Sequence, residues 1–177
     1  FDHSKEGKLW DDVRQCAECA LDITPHDTQA LALKAAALIG TNQLDEWNSL
    51  CDFNRLVQTH MIESPSGHKS TKSFNNALFD RCATDDSRIF EAPGKAITKG
   101  ERIDSLHTDP ADSPVTMLLT KIDELTDLYT KTHPTDPQHP FLVQTPRKWR
   151  ISAWGSILRK EGYHESHIHK VGWLSGV

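Results

Sequence analysis

The 177-residue chain lacks an excess of positive charge. It has 20 Lys and Arg against 25 Asp and Glu, a formal charge of −5 and a pI near 6.0. General binding to nucleic acid draws on a basic patch that neutralises phosphates, so no nucleic-acid partner is expected. Long hydrophobic runs are missing too. No stretch reaches the roughly 18 apolar residues of a membrane span, and Phe1-Asp2-His3-Ser4-Lys5 has no apolar core of a signal peptide. Cysteine is scarce, at Cys16, Cys19, Cys51 and Cys82. No second CxxC accompanies Cys16-Ala17-Glu18-Cys19 to complete a four-thiolate zinc site. A redox CxxC should open a helix after a strand, whereas this one sits inside an amphipathic helical pattern and reads as small buried residues of a helix. All four are expected to be reduced thiols of a cytoplasmic protein. Gly67-His68-Lys69-Ser70-Thr71 lacks the Gly-Lys pair of a phosphate loop.

What is present begins with helices. Leu9, Trp10, Val13, Ala17, Ala20 and Leu21 follow the spacing of one apolar face over residues 8–22. Pro25 ends that helix. A second runs from about Asp27 to Ile39, with Asp27 or Thr28 as cap and Gly40 as stop; a third starts near Leu44. From 52 to 110, short apolar pieces alternate with polar, Gly- and Pro-bearing segments. Within them Lys72 to Arg81 reads as a helix with Phe74, Leu78 and Phe79 inward. Residues 107–114 read as a linker or loop. Val115 to Lys131 is the clearest helix, striped by Val115, Leu118, Leu119, Ile122, Leu125 and Tyr129, with Ser113 as cap and Pro114 at its first position. His133-Pro134-Thr135-Asp136-Pro137-Gln138-His139-Pro140 is a proline-punctuated loop whose two histidines are expected in solvent.

The C-terminal stretch reads as strands: Trp149 to Arg159, a turn at Lys160-Glu161-Gly162, then a strand carrying the histidines. Short Gly-bearing turns join antiparallel pairs, and strands after a helical start suggest a barrel or jelly-roll core covered by helices. His164, His167 and His169 lie within six positions. On a strand from Ser166 onward, His167 and His169 share one face with Cα atoms about 6–7 Å apart. His164, three positions before His167, falls on the opposite face. Imidazole suits Fe, Zn, Cu and Ni, so the pair can converge on a transition metal; a surface strand with polar His on its open side gives the same pattern.

Gly162-Tyr163-His164-Glu165-Ser166-His167-Ile168-His169, with Gly172-Trp173-Leu174-Ser175-Gly176-Val177 and upstream Trp154-Gly155-Ser156-Ile157-Leu158-Arg159, resembles the 2-oxoglutarate- and Fe(II)-dependent oxygenases of bacteria and phages. The resemblance is sharpest over Phe141 to Val177 and looser over Phe53 to Leu106. Lys170 stands where the family usually has Pro, and Glu161 where it often has a first Gly; neither removes a candidate ligand. Members often carry tetratricopeptide-type helices in front, which Ala20-Leu21-Asp22-Ile23-Thr24-Pro25 and the following helix resemble.

The resemblance implies an α+β chain: residues 1–51 a helical, tetratricopeptide-like segment, residues 52–177 the first part of a double-stranded β-helix, or jelly roll, backed by the 115–131 helix. It implies an oxidoreductase, a dioxygenase with Fe(II) as metal and 2-oxoglutarate as cosubstrate, hydroxylating an unknown small molecule or protein side chain. His167 takes the place of the first iron ligand. His169 stands where the family's carboxylate would be: a third nitrogen ligand, a group orienting a ligand, or a bystander to a carboxylate from elsewhere. His164 and Trp173 are candidates for the pocket, Trp173 equally for plain core. Arg159 faces substrate or cosubstrate, or is a solvated strand-end charge. The distal His and the Arg for 2-oxoglutarate are expected beyond Val177, so the chain is read as ending inside the barrel and as inactive alone. Two rivals remain. A cupin-type or zinc-binding barrel also uses HxH, although no Asp or Glu lies between His169 and Val177. Alternatively, the N-terminal helices form a non-enzymatic module that binds a protein partner.

Overall fold

The computed structural model describes residues 3–65, 67–106, 110, 111, 113–169 and 171–177. Phe1, Asp2, half of the expected 107–114 linker and the Pro-to-Lys170 departure therefore lie outside the described residues. The architecture is α+β, six helices and a small antiparallel sheet among the described residues. The chain divides into two units. One takes in residues up to Thr59 with Thr132–Pro146 and Ile168–Val177; the other takes in His60–Lys131 and Arg147–His167.

The first unit is built on three consecutive helices, α1 (His3–Ile23), α2 (Thr28–Gly40) and α3 (Leu44–Cys51), followed by the short α4 (Phe53–Leu56). α2 packs against both α1 and α3. The turn at Thr24-Pro25-His26 ends α1, and the Asp27 carboxylate accepts the Ala30 N–H at 2.8 Å to cap α2. Around the contact between α1 and α2, the small Ala17, Ala30 and Ala37 are buried together with the larger Leu38. Gly40 shows how close the helices come, because a Cβ there would lie 2.4 Å from Cγ of Trp10. Gly40 thus closes α2 where the Trp10 ring leaves room for no side chain. Lys34 on α2 reaches Glu46 of α3 at 2.7 Å and Glu18 of α1 at 3.4 Å. Its partial burial alone would lower its pKa, but the hydrogen bonds and charges of Glu46 and Glu18 outweigh that and raise it.

Cys16 and Cys19 are exposed, contrary to the expectation that they fill a helix interior. The buried face of α1 carries Ala17, and the two cysteines fall on the other side. The apolar stripe is therefore narrower than the composition of the helix suggests: Leu9 and Ile23 are also exposed.

The second unit holds α5 (Thr71–Ala83), β1 (Ile89–Phe90), β2 (Ile97–Ile103), α6 (Pro114–Thr132) and β3 (Gly155–His164). Strand order is β1-β2-β3, all antiparallel. Ser70 caps α5 by accepting the Ser73 N–H at 3.1 Å, and Ser113 caps α6 by accepting that of Thr116 at 3.1 Å. Ile103, Leu106 and Val115 form the core cluster, with Leu78, Cys82, Leu119 and Ala153 packed around it. α6 thereby buries its first turns against the end of β2 and against α5.

The sheet differs from the expected hairpin. The strand starts at Gly155, not at Trp149: Trp149 donates its indole N–H to Asp123 of α6 at 2.8 Å, and Ala153 accepts the Leu106 N–H at 3.3 Å. Nor does the chain turn back at Lys160-Glu161-Gly162. β3 runs on through these residues and pairs with β2 on both sides of them, Gly100 with Leu158 and Thr98 with Tyr163. The turn residues are absorbed as a bulge in one strand. Lys99 and Glu161, at φ of 51° and 62°, take left-handed backbone there and join their side chains at 2.9 Å.

Candidate metal-binding segment

β3 delivers the histidine-rich segment. His164 is its last residue, opposite Ile97 of β2, and Glu165 adds one further bond by donating its N–H to Ala96 O at 3.2 Å. There the ladder stops. The expected strand from Ser166 onward is absent: none of the described residues after His164 is in a strand. The alternation that would have put His167 and His169 on one face, and His164 on the other, therefore does not operate here. The chain instead bends after Glu165, and His164 and His167 become neighbours, ring centroids 6.2 Å apart and planes 34° apart.

His167 is oriented by its own backbone. Its Nδ1 lies 2.7 Å from the Glu165 carbonyl oxygen. A carbonyl only accepts, so Nδ1 carries a proton, and the neutral form is the tautomer with its lone pair on Nε2. This is how ligating histidines are commonly held, with the second nitrogen donating to a carbonyl. His164, Glu165, His167 and His169 are all exposed. Among the described residues no group of three or more His, Cys, Asp or Glu is arranged to hold a metal ion.

Arg159 lies on the same strand but is engaged elsewhere in the sheet. Its guanidinium meets Glu101 at 2.8 Å and lies over the Phe90 ring at 5.7 Å. It bridges β3 to β2 and β1.

The division between the two units falls between His167 and Ile168. In the first unit, the His169 carbonyl accepts the Gly172 N–H at 3.2 Å, a turn that leads into Trp173. Trp173 stacks on Phe141, centroids 4.8 Å apart and planes within 10°, and donates its indole N–H to the Phe141 carbonyl at 3.2 Å. Trp173 is thus held by Phe141 on both a face and an edge.

The 133–146 loop holds what the sequence reading missed. His133 and His139 are buried, at 5% and 7% exposure, not solvated. His133 donates Nε2–H to the Arg55 carbonyl at 2.8 Å and turns Nδ1 toward the Thr132 hydroxyl at 3.2 Å. His139 Nδ1 accepts the Phe141 N–H at 3.2 Å, which places its proton on Nε2, and Nε2 is buried with no hydrogen-bond partner among the described residues. Asp136 nucleates the turn. It accepts the Gln138 N–H at 3.0 Å and the Arg55 guanidinium at 3.1 Å, and these bonds, with the Arg55 charge, hold its carboxyl below the usual carboxylate range. The signal was in the sequence: Asp136 followed two residues later by a backbone donor is an Asx-turn. Such a turn folds the loop back on itself and draws His139 inside.

No described helix is long and apolar enough to cross a membrane. Neither protein-family models, nor curated proteins, nor solved structures give a match to this chain.

Proposed function

We propose that the chain is part of an Fe(II)- and 2-oxoglutarate-dependent dioxygenase that hydroxylates a small molecule or a protein side chain in the cytoplasm. The observation that carries the reading is the residue pattern from Trp154 to Val177, with His164, His167 and His169 and the following Gly-Trp-Leu-Ser-Gly. The fit to a metal rests on His167, because its Nδ1–H is committed to the Glu165 carbonyl and its Nε2 keeps the lone pair that ligation needs. In this reading His167 and His169 hold Fe(II). When bound, Fe(II) with 2-oxoglutarate supplies the activation of O2 that hydroxylation requires. The chain's own part is to present His167 Nε2 from the end of β3 and to stiffen the approach through the β2–β3 ladder. β1–β3 would be the first strands of a double-stranded β-helix backed by α6, and α1–α3 a tetratricopeptide-type segment in front of it.

The test uses Co(II) as a spectroscopic stand-in for Fe(II). Anaerobic Co(II) titration of the 177-residue chain is expected to give a visible ligand-field band. His167→Ala and His169→Ala should each abolish it, whereas His26→Ala, an exposed control, should not. A band that both variants retain would refute the assignment. Zn(II) bound tightly and not displaced by excess Co(II) or Fe(II) would replace it with the zinc-barrel reading.

A further inference from the structure

The exposed cysteines of α1 are the feature that the oxygenase reading does not use. Unpaired cysteine is among the residues most often buried, yet Cys16 and Cys19 both lie at the surface of one helix. They are three positions apart, so their side chains are neighbours on one face, with Cβ atoms about 5–6 Å apart. The frame beneath them is fixed, because Ala17 between them is buried on the face of α1 that packs against α2.

Two outcomes compete for such a pair, and distance separates them. A disulfide needs Cβ atoms roughly 3.5–4.5 Å apart, closer than a regular helix holds them. A thiolate–metal–thiolate bridge spans about 4.6 Å between sulfurs at roughly 2.3 Å per bond, which side chains on that frame reach by rotation about χ1 alone. Donor number then selects the ion. Zn(II) in a closed site takes four ligands, and among the described residues no third His, Cys, Asp or Glu joins the pair. Soft thiolates also select Cu(I), and Cu(I) is stable with two ligands in a line.

We infer that Cys16 and Cys19 form a two-coordinate site for a thiophilic monovalent cation, Cu(I), on the exposed face of α1. Binding exchanges two thiol protons for one cation and involves no change of oxidation state. The site is independent of the histidine segment and of the dioxygenase reading.

The experiment is anaerobic competition for Cu(I) between the reduced 177-residue chain and the chromophoric chelator bicinchoninate. The chain is expected to withdraw one Cu(I) per molecule. Cys16→Ser and Cys19→Ser should each weaken uptake by more than the roughly 100-fold that loss of an orienting neighbour costs a metal site. Cys51→Ser and Cys82→Ser should leave it unchanged, and circular dichroism should show all four variants helical. The inference is overturned if the wild-type chain fails to compete, if uptake survives in Cys16→Ser or Cys19→Ser, or if it follows Cys51 or Cys82. It is equally overturned by one Cu(I) shared between two chains.

Discussion

Gly162 lies in the β3 bulge two residues before His164, and its replacement measures how tightly the bulge is held. A Cβ built there would lie 2.6 Å from the Lys99 carbonyl oxygen, 2.9 Å from that of Arg159 and 3.0 Å from the Arg159 nitrogen. Carbon–oxygen contacts ordinarily sit at about 3.3–3.6 Å, so the methyl must push backbone aside by roughly half an ångström or more. All three obstacles are main chain, and two belong to the bulge itself. At Gly100, by contrast, a Cβ meets the ends of the Ile97 and Leu158 side chains, which can rotate away. Overpacking that forces backbone shifts costs about 1–3 kcal/mol. For a chain of this length that is a fall in Tm of roughly 2–12 °C. Gly162→Ala followed by thermal circular dichroism is the assay. Gly176→Ala serves as control, because nothing lies within 4 Å of its Cβ position. Should Gly162→Ala melt within about a degree of wild type, the bulge backbone yields freely and the steric argument fails.

Asp27→Ala removes the acceptor of the Ala30 N–H and should cost about 1 kcal/mol in a urea titration, the usual worth of an N-cap. His133→Ala strands the Arg55 carbonyl and should cost about 1–3 kcal/mol by the same measurement; an unchanged midpoint would mean the buried ring has no structural role. Hydrogen bonds from Ser87, then from Arg81, lower the Asp85 pKa from 3.8 to about 2. A depressed carboxylate adds stability that is complete above the ordinary value and disappears as pH falls through the folded one. The wild-type urea midpoint should therefore fall between pH 4 and pH 2, and Asp85→Asn should flatten that part of the profile; identical profiles would refute the assignment.

The helices were legible because their signals are local. Ser113, Pro114 and the stripe from Val115 to Tyr129 specify α6 within one window, and α6 runs Pro114–Thr132. Asp27 and Pro25 likewise mark the α1–α2 turn without reference to anything distant. The strands were not legible in the same way, because a strand exists only where a partner meets it. Trp149, Ile151 and Ala153 alternate as a strand would, but among the described residues no partner ladder runs beside them. Lys160-Glu161-Gly162 has turn composition, but β2 supplies Lys99 in left-handed backbone opposite Glu161, and that pairing turns a hairpin signal into a bulge. Exposure on α1 went astray for a related reason. Cysteine and alanine are small enough for either face, and only the position of α2 decides that Ala17 goes in and Cys16 and Cys19 stay out.

The same dependence on partners governs the histidines. Period-two reasoning paired His167 with His169 and set His164 aside, on the premise that the strand continues. β3 loses its ladder after the Glu165–Ala96 bond, so the spacing rule gives way to the local bend, and the bend pairs His164 with His167. What survives the loss of the strand is the orientation of His167. It comes from a carbonyl two residues away rather than from the sheet, so it does not depend on how far the ladder extends. A continued strand would bring His169 to the side of His167; the bend brings His164 there instead. Comparing His164→Ala with His169→Ala in the Co(II) titration separates the two pairings. If loss of His169 abolishes the band and loss of His164 spares it, strand-like alternation governs ligation. The reverse result would assign the metal to the pair that the bend creates.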